Sequence, residues 1–434
     1  MESKPRLGVL THVMPYPRSA GQQQRVYYTL KAAREEFHVT LIAPVRDHQL
    51  DEARRNLDGL CDELVVLPSI EDVGRAAKLS AAAKSFVYCA ATGLRRSNYY
   101  LGGLQFDPSV VRTIIADRRF DCLLFEYWHA YQCIGLLRDV VPKFVLDMHN
   151  VLWVSHAQKL NDRRDLPGPW KRWSVARYRK GEERAWRMFD GVIAINQEEL
   201  KYASSVVNGC ADMFYAPMGI DLEAWPYSWD PQRPARIAYY GGLGSPHNQQ
   251  AALRCLDRIM PEVWDRFPET TFWLVGSNPQ GALLRRSDDP RVKVTGFVED
   301  VQQVLRTMTA VVCPWSGTYG FRSRLVEVMA LGVPVVTTPD AVSGMEFEDG
   351  HGVLVGQADR DLAQHVLRLL SNDHFAADQS DKARSQVEGR YDVPNTYGKL
   401  MKELKQWSSI NHLLRTPEAS GERELPVFDL PGEH

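Results

Sequence analysis

The sequence predicts an α/β protein of two domains, each built on a parallel sheet with helices on both faces. Short apolar runs alternate with helical patterns along most of the chain, as expected for strands that are buried on both sides. The alternation restarts after a stretch at 222–235 that contains three prolines. A chain of 434 residues with 44% hydrophobic content can also bury two ordinary cores.

The first half begins with a βαβ unit. Residues 7–11 predict a strand, residues 22–36 a helix, and residues 39–43 a second strand. Later strands of this half are predicted at 64–67, 122–125, 144–147 and 191–195. Residues 75–105 interrupt the rhythm and carry aromatic runs, so they are predicted to be an insertion.

The second half repeats the pattern. Its strands are predicted at 237–240, 272–275, 292–294, 310–313, 333–336 and 352–355, and its helices at 248–264, 322–331 and 359–371. Pro334 is expected at the start of its strand, where a missing N–H costs least. A last helix covers about 396–407, and the polar residues 409–434 predict a disordered tail.

Composition excludes several classes of protein. Lys and Arg total 52 against 54 for Asp and Glu, and this near-neutral balance predicts no nucleic-acid partner. No apolar stretch reaches eighteen residues, and the polar opening leads directly into a strand, so a cytoplasmic location is expected. The seven cysteines show no metal-ligand spacing and are interpreted as small core residues.

The strongest candidate site is the glycine-containing turn at 317–321, which leads into a predicted helix. Arg322 and Arg324 fall in the first turn of that helix, where cations are unfavourable by roughly 0.3–1 kcal/mol each, so they indicate a bound anion. Glu327 follows one turn later and could accept hydrogen bonds from ligand hydroxyls. The alternative is a solvated helix start whose arginines pair with carboxylates elsewhere.

Loops at the carboxyl ends of parallel strands supply further candidates, because ligands bind there in open α/β sheets. Gly21 lies in the first such loop, although a flexible connection explains a lone glycine equally well. His149 follows the predicted strand 144–147 and could hydrogen-bond a ligand, whereas a lone histidine there is more often structural. His129 is a weaker candidate in a similar loop.

Aromatic and cationic residues interleave at 170–180. This pattern suits peripheral contact with an anionic membrane surface or a lipid-phosphate acceptor. Glu182 and Glu183 follow directly, which makes a solvated helix face the alternative.

A family resemblance rests on residues 329–336, MALGVPVV, which match the motif Met-Ala-x-Gly-x-Pro-Val-Val in full. They resemble the donor motif of the large retaining GT-B glycosyltransferase family that includes sucrose synthases and bacterial mannosyltransferases. In that family two Glu residues flank seven positions, and Glu327 matches the second, which holds the ribose. Tyr319 stands in place of the first, so the usual contacts to the donor sugar are not carried over.

Other segments follow in the family's order. Residues 217–221 (PMGID), 275–276 (VG) and 294–298 (VTGFV) resemble family segments, and the last of these holds the base through backbone groups. Many relatives carry Arg and Lys where this chain has Gly242 and His247. Arg322 and Arg324 are therefore expected to bind the phosphate groups. They resemble an Arg-x-Lys pair that one branch of the family carries.

The resemblance implies two facing Rossmann-like domains: residues 1–228 on the acceptor side and residues 229–393 for the donor, with helix 394–408 packing back on the first. It implies transfer of a sugar from a nucleotide diphosphate sugar to an acceptor hydroxyl, with retention, in glycan, polysaccharide or glycoconjugate biosynthesis. No cofactor is expected, and no metal ion either, because no Asp-x-Asp motif lies in a suitable loop.

The resemblance and the loop patterns together predict the site residues. The predicted catalytic residues are His149, Arg322 and Arg324, and the predicted donor-binding residues are Gly21, Gly242, Gly244, His247, Gly296, Phe297, Tyr319, Gly320, Phe321 and Glu327. Two alternatives remain. One is a non-catalytic sugar-nucleotide-binding protein, suggested by Tyr319, and the other is a nucleotide-sugar epimerase or hydrolase on the same scaffold.

Overall fold

The computed structural model of the protein describes residues 3–409 except for residues 70, 73, 93, 162, 164, 318 and 319. The side chains of residues 75–77 and 103 are not described either. The predicted disordered tail falls almost entirely outside this range. Within it, no helix has both the length and the apolar character needed to cross a membrane.

The chain divides into two compact units. Unit 1 comprises Met1–Ile193, Ala203–Phe214 and Leu400–His434, and unit 2 comprises Ala194–Tyr202 and Tyr215–Lys399. Each unit has its own parallel sheet. This confirms the predicted fold class of two Rossmann-like α/β domains.

The sheet of unit 1 has seven strands. They are β1 (Arg6–Leu10), β2 (His38–Pro44), β3 (Glu63–Leu67), β4 (Cys122–Glu126), β5 (Phe144–Asp147), β6 (Gly191–Ala194) and β7 (Asp212–Tyr215). Their order is β3-β2-β1-β4-β5-β6-β7, and β1 to β6 pair in parallel. Since the order reverses between β1 and β4, a crevice for ligands is expected at the carboxyl ends of these two strands.

Helices connect these strands. They are α1 (Gly21–Glu36), α2 (Leu50–Leu57), α3 (Arg75–Thr92), α4 (Arg96–Asn98), α5 (Pro108–Ile115), α6 (Cys133–Leu137), α7 (Leu152–Asn161), α8 (Gly168–Trp186) and α9 (Gln197–Val207). The interruption at 75–105 forms α3, α4 and the π turn Tyr99–Leu104. Gly102 of that turn approaches the loop after β4 so closely that a Cβ would lie 1.7 Å from the carbonyl oxygen of His129.

The sheet of unit 2 has six strands. They are β8 (Arg236–Tyr240), β9 (Thr271–Val275), β10 (Val292–Gly296), β11 (Ala310–Cys313), β12 (Val335–Thr337) and β13 (Val353–Val355). Their order is β10-β9-β8-β11-β12-β13, so this sheet reverses between β8 and β11. Pro334 precedes β12 instead of opening it, but its carbonyl still accepts a hydrogen bond from the N–H of Val311 (3.0 Å).

The helices of unit 2 complete its two outer layers. They are α10 (Pro246–Arg254), α11 (Met260–Arg266), α12 (Gly281–Leu284), α13 (Val301–Leu305), α14 (Ser323–Ala330), α15 (Pro339–Val342), α16 (Asp359–Ser371) and α17 (Asp373–Glu388). The helix predicted at 248–264 is divided by a π turn, Cys255–Ile259. The helix α17 was not predicted from the sequence. It buries polar residues such as Gln379, Ser380 and Gln386 and therefore shows a weak apolar period.

The last helix, α18 (Lys399–Ser409), packs on unit 1. Lys405 Nζ lies 2.8 Å from Glu36 Oε2. Trp407 Nε1 donates to Asp212 Oδ2 at 2.7 Å, and Lys143 Nζ lies 4.2 Å from the centre of the Trp407 ring. These contacts fix the end of the described chain against the sheet edge that carries β7.

Candidate functional site

In unit 2, two loops leave neighbouring strands at the point where the strand order reverses. Residues 241–245 follow β8, and residues 314–317 and 320–322 lie between β11 and α14. The loop after the next strand, β9, passes close to the first of them. A Cβ on Gly276 would lie 1.8 Å from the carbonyl oxygen of Gly241. Glycine is therefore required at the second position of the Val275-Gly276 pair.

Arg322 and Arg324 lie at the start of α14, beside these loops. Arg322 is the N-cap residue, and its Nη2 donates to the carbonyl of Gly317 at 3.0 Å. Its guanidinium lies 5.7 Å from the centre of the Trp315 ring. The Arg324 guanidinium lies 5.3 Å from the centre of the Tyr240 ring, at the end of β8.

Both arginines are half-buried, and neither forms an ion pair with a carboxylate among the described residues. Burial lowers the pKa of Arg322, which shows that its charge is poorly solvated. The alternative in which these arginines pair with carboxylates elsewhere is therefore not seen in the described chain. The Asp340 carboxylate acts on Arg322, and the Glu327 carboxylate on Arg324, beyond ion-pair distance. A bound anion would add direct charge compensation.

Glu327 lies one turn further along α14 and is buried. Its Oε2 accepts a hydrogen bond from Tyr240 Oη at 2.9 Å. Burial raises the pKa of Glu327 above its ordinary value. Tyr240 thus contacts both the carboxylate and, through its ring, the Arg324 guanidinium, which holds the two charged groups in one place.

The glycines after β8 leave space beside Arg324. Gly242 faces its guanidinium, since a Cβ at Gly242 would lie 3.6 Å from Arg324 Nη2. The carbonyl of Gly242 accepts from Asn248 Nδ2 at 2.9 Å, which orders the loop against α10. Gly244 is exposed in the same loop, and His247 is exposed at the second position of α10.

Four other predicted donor-binding residues that the structure describes also lie in unit 2: Gly296, Phe297, Gly320 and Phe321. Gly296 ends β10 with a φ of +68°, and the Phe297 side chain that follows is 79% exposed. The N–H of Gly320 donates to Glu199 Oε1 at 3.1 Å, and the half-buried Phe321 ring lies 5.7 Å from that of Tyr391. Tyr319 lies outside the described residues.

In unit 1, a second polar cluster lies at the carboxyl ends of β4 and β5. His149 follows β5 in a left-handed backbone conformation (φ +55°) and is buried. Its Nε2 is hydrogen-bonded to Glu126 Oε2, on the last residue of β4. The Tyr127 ring stacks on the imidazole, with centroids 4.1 Å apart.

A buried ion pair supports this cluster from α1. Arg25 Nε lies 2.9 Å and 2.7 Å from the two carboxylate oxygens of Asp147, the last residue of β5. Asp147 Oδ1 also accepts from the N–H of His149 at 3.4 Å. Glu126 Oε1 has no partner in the described chain, and burial together with the Asp147 charge raises the pKa of Glu126.

Glu126, Asp147 and His149 each offer a ligand atom within 4.8 Å of the others, a spacing that could suit a metal ion. Arg25, however, already bonds both oxygens of Asp147. A divalent cation would therefore compete with a guanidinium for this carboxylate, and the arrangement favours an organic ligand at His149 over a metal centre.

Two more histidines border the cluster. The His129 ring stacks on that of Tyr127 (centroids 5.6 Å apart), and its Nδ1 lies 3.2 Å from Asn98 Nδ2. Burial, reinforced by His149, lowers the pKa of His12 to about 4. Burial, reinforced by His12 and His149, lowers the pKa of His129 to about 3.

Gly21 opens α1 at the same edge of the unit 1 sheet. The neighbouring Gln22 accepts a hydrogen bond from Tyr127 Oη at 3.1 Å through its Oε1. The start of α1 is thereby tied to the loop that follows β4. Gly21 and His149 accordingly flank one polar cluster, whereas the arginines and Glu327 form another in unit 2.

The low pKa values of His12 and His129 predict that unit 1 loses stability in mild acid. The unfolded chain binds protons below the ordinary pKa of 6.5, whereas the folded chain keeps both rings neutral until pH about 4 and about 3. Stability therefore falls as pH decreases through 6.5, by up to about 2 kcal/mol per histidine at pH about 5.

Urea unfolding of wild type and His129→Gln at several pH values measures this effect. The variant is expected to show a smaller loss of unfolding free energy between neutral pH and pH about 5. His48→Gln, at an exposed position, is the control and should keep the wild-type slope. Equal slopes for all three proteins would contradict the prediction.

The sequence patterns did not predict four residues of this cluster: Glu126, Asp147, Arg25 and Tyr127. A signal for the first two was available, since each carboxylate ends a strand in which all residues are buried, and the two strands are adjacent. The structure pairs Glu126 directly with Asp147 across β4 and β5. Arg25 could not be found in this way, because nothing in a helical pattern shows that an arginine faces inward.

The comparisons with known proteins agree with this architecture. Residues 234–372 match the family model described as glycosyl transferases group 1. No curated protein sequence matches the chain.

Solved structures share the fold over most of the chain. TarM superposes with a TM-score of 0.64 at 10% identity, over 93% of this chain and 99% of its own. Sucrose-phosphate synthase from Thermosynechococcus elongatus gives 0.62 at 17% identity, over 93% and 99%. Anabaena HepE in complex with UDP-glucose gives 0.56 at 15% identity, also over 93% and 99%.

At these identities the solved structures show a shared fold, and the residues that match the family model lie in unit 2. The chain thus has the two-domain GT-B fold of these solved structures, and its residues 234–372 are similar to glycosyl transferases group 1.

Proposed function

We propose that the protein transfers a glycosyl group from a nucleotide diphosphate sugar to an acceptor hydroxyl with retention of configuration, as a step in glycan, polysaccharide or glycoconjugate biosynthesis. The observation that carries the proposal is the pair Arg322 and Arg324 at the start of α14. Both guanidinium groups are half-buried without a described carboxylate partner, and Glu327 lies one turn away. A nucleotide diphosphate supplies the charge and the hydroxyls that such a site needs.

Each residue of this set has a distinct role. Arg322 and Arg324 bind the diphosphate, and because the leaving group gains negative charge as the glycosidic bond breaks, they stabilise the transition state more than the ground state. Glu327, whose Oε2 is oriented by Tyr240, accepts hydrogen bonds from the ribose hydroxyls. Gly296 and Phe297 contact the base, in keeping with the resemblance of residues 294–298.

His149 contacts the sugar that is transferred. Its Nε2 is engaged by Glu126, so Nδ1 is the nitrogen that remains for a sugar hydroxyl. The assignment of retention rests on the resemblance to sucrose synthases and bacterial mannosyltransferases, and no enzyme nucleophile is assigned. The two arginines carry the positive charge that a metal ion would otherwise bring to a diphosphate, so turnover should persist in EDTA.

A thermal-shift screen of UDP-, GDP-, ADP- and dTDP-sugars on the full chain tests the donor site, since a ligand that binds only the folded protein raises its melting temperature. The sugar nucleotide of one base is expected to raise the melting temperature. The nucleoside monophosphate of that base should not do so, because it lacks the second phosphate. A response to none of them would contradict the proposal.

Incubation of the stabilising donor with candidate acceptors then tests catalysis, with the anomeric configuration of the product read by NMR. A new glycoside with the donor's configuration supports the proposal. Free nucleotide with free or altered sugar, at the same rate with and without acceptor, would instead indicate a hydrolase or an epimerase. Tight donor binding without turnover would indicate a non-catalytic binding protein.

A further inference from the structure

One face of α3 is apolar and exposed. Leu79, Ala83, Phe86, Val87 and Ala90 follow the spacing i, i+4, i+7, i+8 and i+11, which places them on one side of the helix. The exposed fractions are 73% for Leu79, 74% for Phe86 and 57% for Val87. A contiguous apolar face of this kind usually marks an interaction surface.

The first half of α8 lies beside this face and carries exposed aromatic residues. Trp170 is 45% exposed and Trp173 is 54% exposed. The Arg177 guanidinium lies 5.1 Å from the centre of the Trp173 ring, and its Nη2 donates to the carbonyl of Ala90. The contact joins the two helices at the end of the apolar face, and the exposed residues of both are here called the α3–α8 surface.

Cations predominate in the two segments that form this surface. Residues 74–106 contain five Lys and Arg and no Asp or Glu, and residues 166–181 also contain five and none. The whole chain has a net charge of -2, so this concentration is local. Arg172, Lys180 and Lys84 are exposed and form no ion pair with a described residue.

The two glutamates that follow compensate only part of this charge. Glu182 is buried, and its carboxylate accepts from Trp128 Nε1 at 3.1 Å and from the N–H of Leu152 at 2.9 Å. Glu183 pairs with Arg179 on the same helix. The helix face therefore keeps an excess of cations.

We propose that the α3–α8 surface docks the protein on the surface of an anionic lipid bilayer. Tryptophan rings and aliphatic side chains partition into the interfacial region of a bilayer, while Lys and Arg are attracted to anionic headgroups. A second copy of the chain fits poorly, because a symmetric contact would bring the same cations together. The proposal stands apart from the transfer reaction and does not depend on it.

Co-sedimentation of the full chain with vesicles tests the proposal. The chain is expected to bind vesicles of phosphatidylcholine mixed with phosphatidylglycerol and not vesicles of phosphatidylcholine alone, with binding weakened by salt. The double variant Phe86→Ser with Trp173→Ser should lower the partition coefficient about tenfold or more. The charge variant Arg172→Glu with Lys180→Glu should lower it about tenfold as well.

Leu284→Ser is the matched control, because Leu284 is an exposed leucine (49%) on unit 2. It should bind as the wild type does, and all variants should keep the wild-type melting temperature. The proposal is overturned if the anionic vesicles bind no protein, or if the control loses as much binding as the double variant. It is equally overturned if the wild type is a dimer that the double variant dissociates, or if RNA binds the surface more tightly than the vesicles do.

Discussion

Replacing Arg322 by alanine is expected to remove the thermal stabilisation that a nucleotide diphosphate sugar gives the wild type. Charge-assisted hydrogen bonds are worth about 1.5–3 kcal/mol, so each arginine contributes about 10- to 100-fold to donor affinity. Arg324→Ala should have a similar effect. Turnover should fall by about 100-fold or more, because the charge of the leaving group is then less well stabilised.

The unliganded protein gives the contrast that separates binding from folding. Burial lowers the pKa of Arg322, so its charge carries a cost in the unliganded site that offsets its hydrogen bond to Gly317, and the Arg322→Ala variant should melt near the wild-type temperature. Arg360→Ala, an exposed arginine on α16, is the matched control and should respond fully to the donor. Arg322→Lys keeps the positive charge but lacks the planar guanidinium. Its donor response should lie between those of the wild type and Arg322→Ala.

An unaltered donor response in both alanine variants would refute the donor site at α14. A lowered melting temperature without ligand would instead assign Arg322 a structural role. Calorimetric titration of the same variants gives affinities that do not depend on melting behaviour.

The sequence contains most of the fold, because buried parallel strands leave short apolar runs that stand out from their surroundings. Twelve predicted runs correspond to strands β1 to β6 and β8 to β13. The run for β7 was missed, since Asp212–Tyr215 lies at the sheet edge and none of its residues is fully buried. The helix α17 was missed because glutamines and a serine occupy part of its buried face.

The two candidate sites also differ in how far they could be predicted from the sequence. The site in unit 2 could be predicted because Arg322, Arg324 and Glu327 are close in sequence and belong to the start of one predicted helix. The cluster around His149 is assembled from α1, β4 and β5, and its partners lie 23 and 122 positions apart in the chain. Only tertiary packing reveals that Glu126 contacts His149, since side-chain direction beyond a strand end is not encoded in local spacing.

The contact between Glu126 and His149 predicts a second large effect, on turnover. Glu126→Gln is expected to lower kcat about 100-fold while donor binding remains. The carboxylate accepts a hydrogen bond from the Nε2–H of His149, which favours this tautomer and leaves Nδ1 for the sugar. A glutamine has the same shape but can donate to Nε2 through its amide, which would reverse the tautomer. The ¹⁵N shifts of the His149 ring report the tautomer directly.

Stability should move in the opposite direction to activity. Burial raises the pKa of Glu126, so its ionised form costs stability at neutral pH, and this cost grows as pH rises through the folded-state pKa. Glu126→Gln removes the charge, and its unfolding free energy should equal or exceed that of the wild type near neutral pH. A structural role alone predicts the reverse, with lower stability and normal turnover per folded molecule.

A double-mutant cycle decides whether Glu126 acts through His149. His149→Ala should lower kcat at least as much as Glu126→Gln, and the double variant should lose no more than His149→Ala alone, because the carboxylate then has no imidazole to orient. Glu63→Gln, at the opposite end of the sheet on β3, should leave kcat unchanged. Additive losses would show that Glu126 contributes independently of the histidine, and the proposed division of roles in unit 1 would then be wrong.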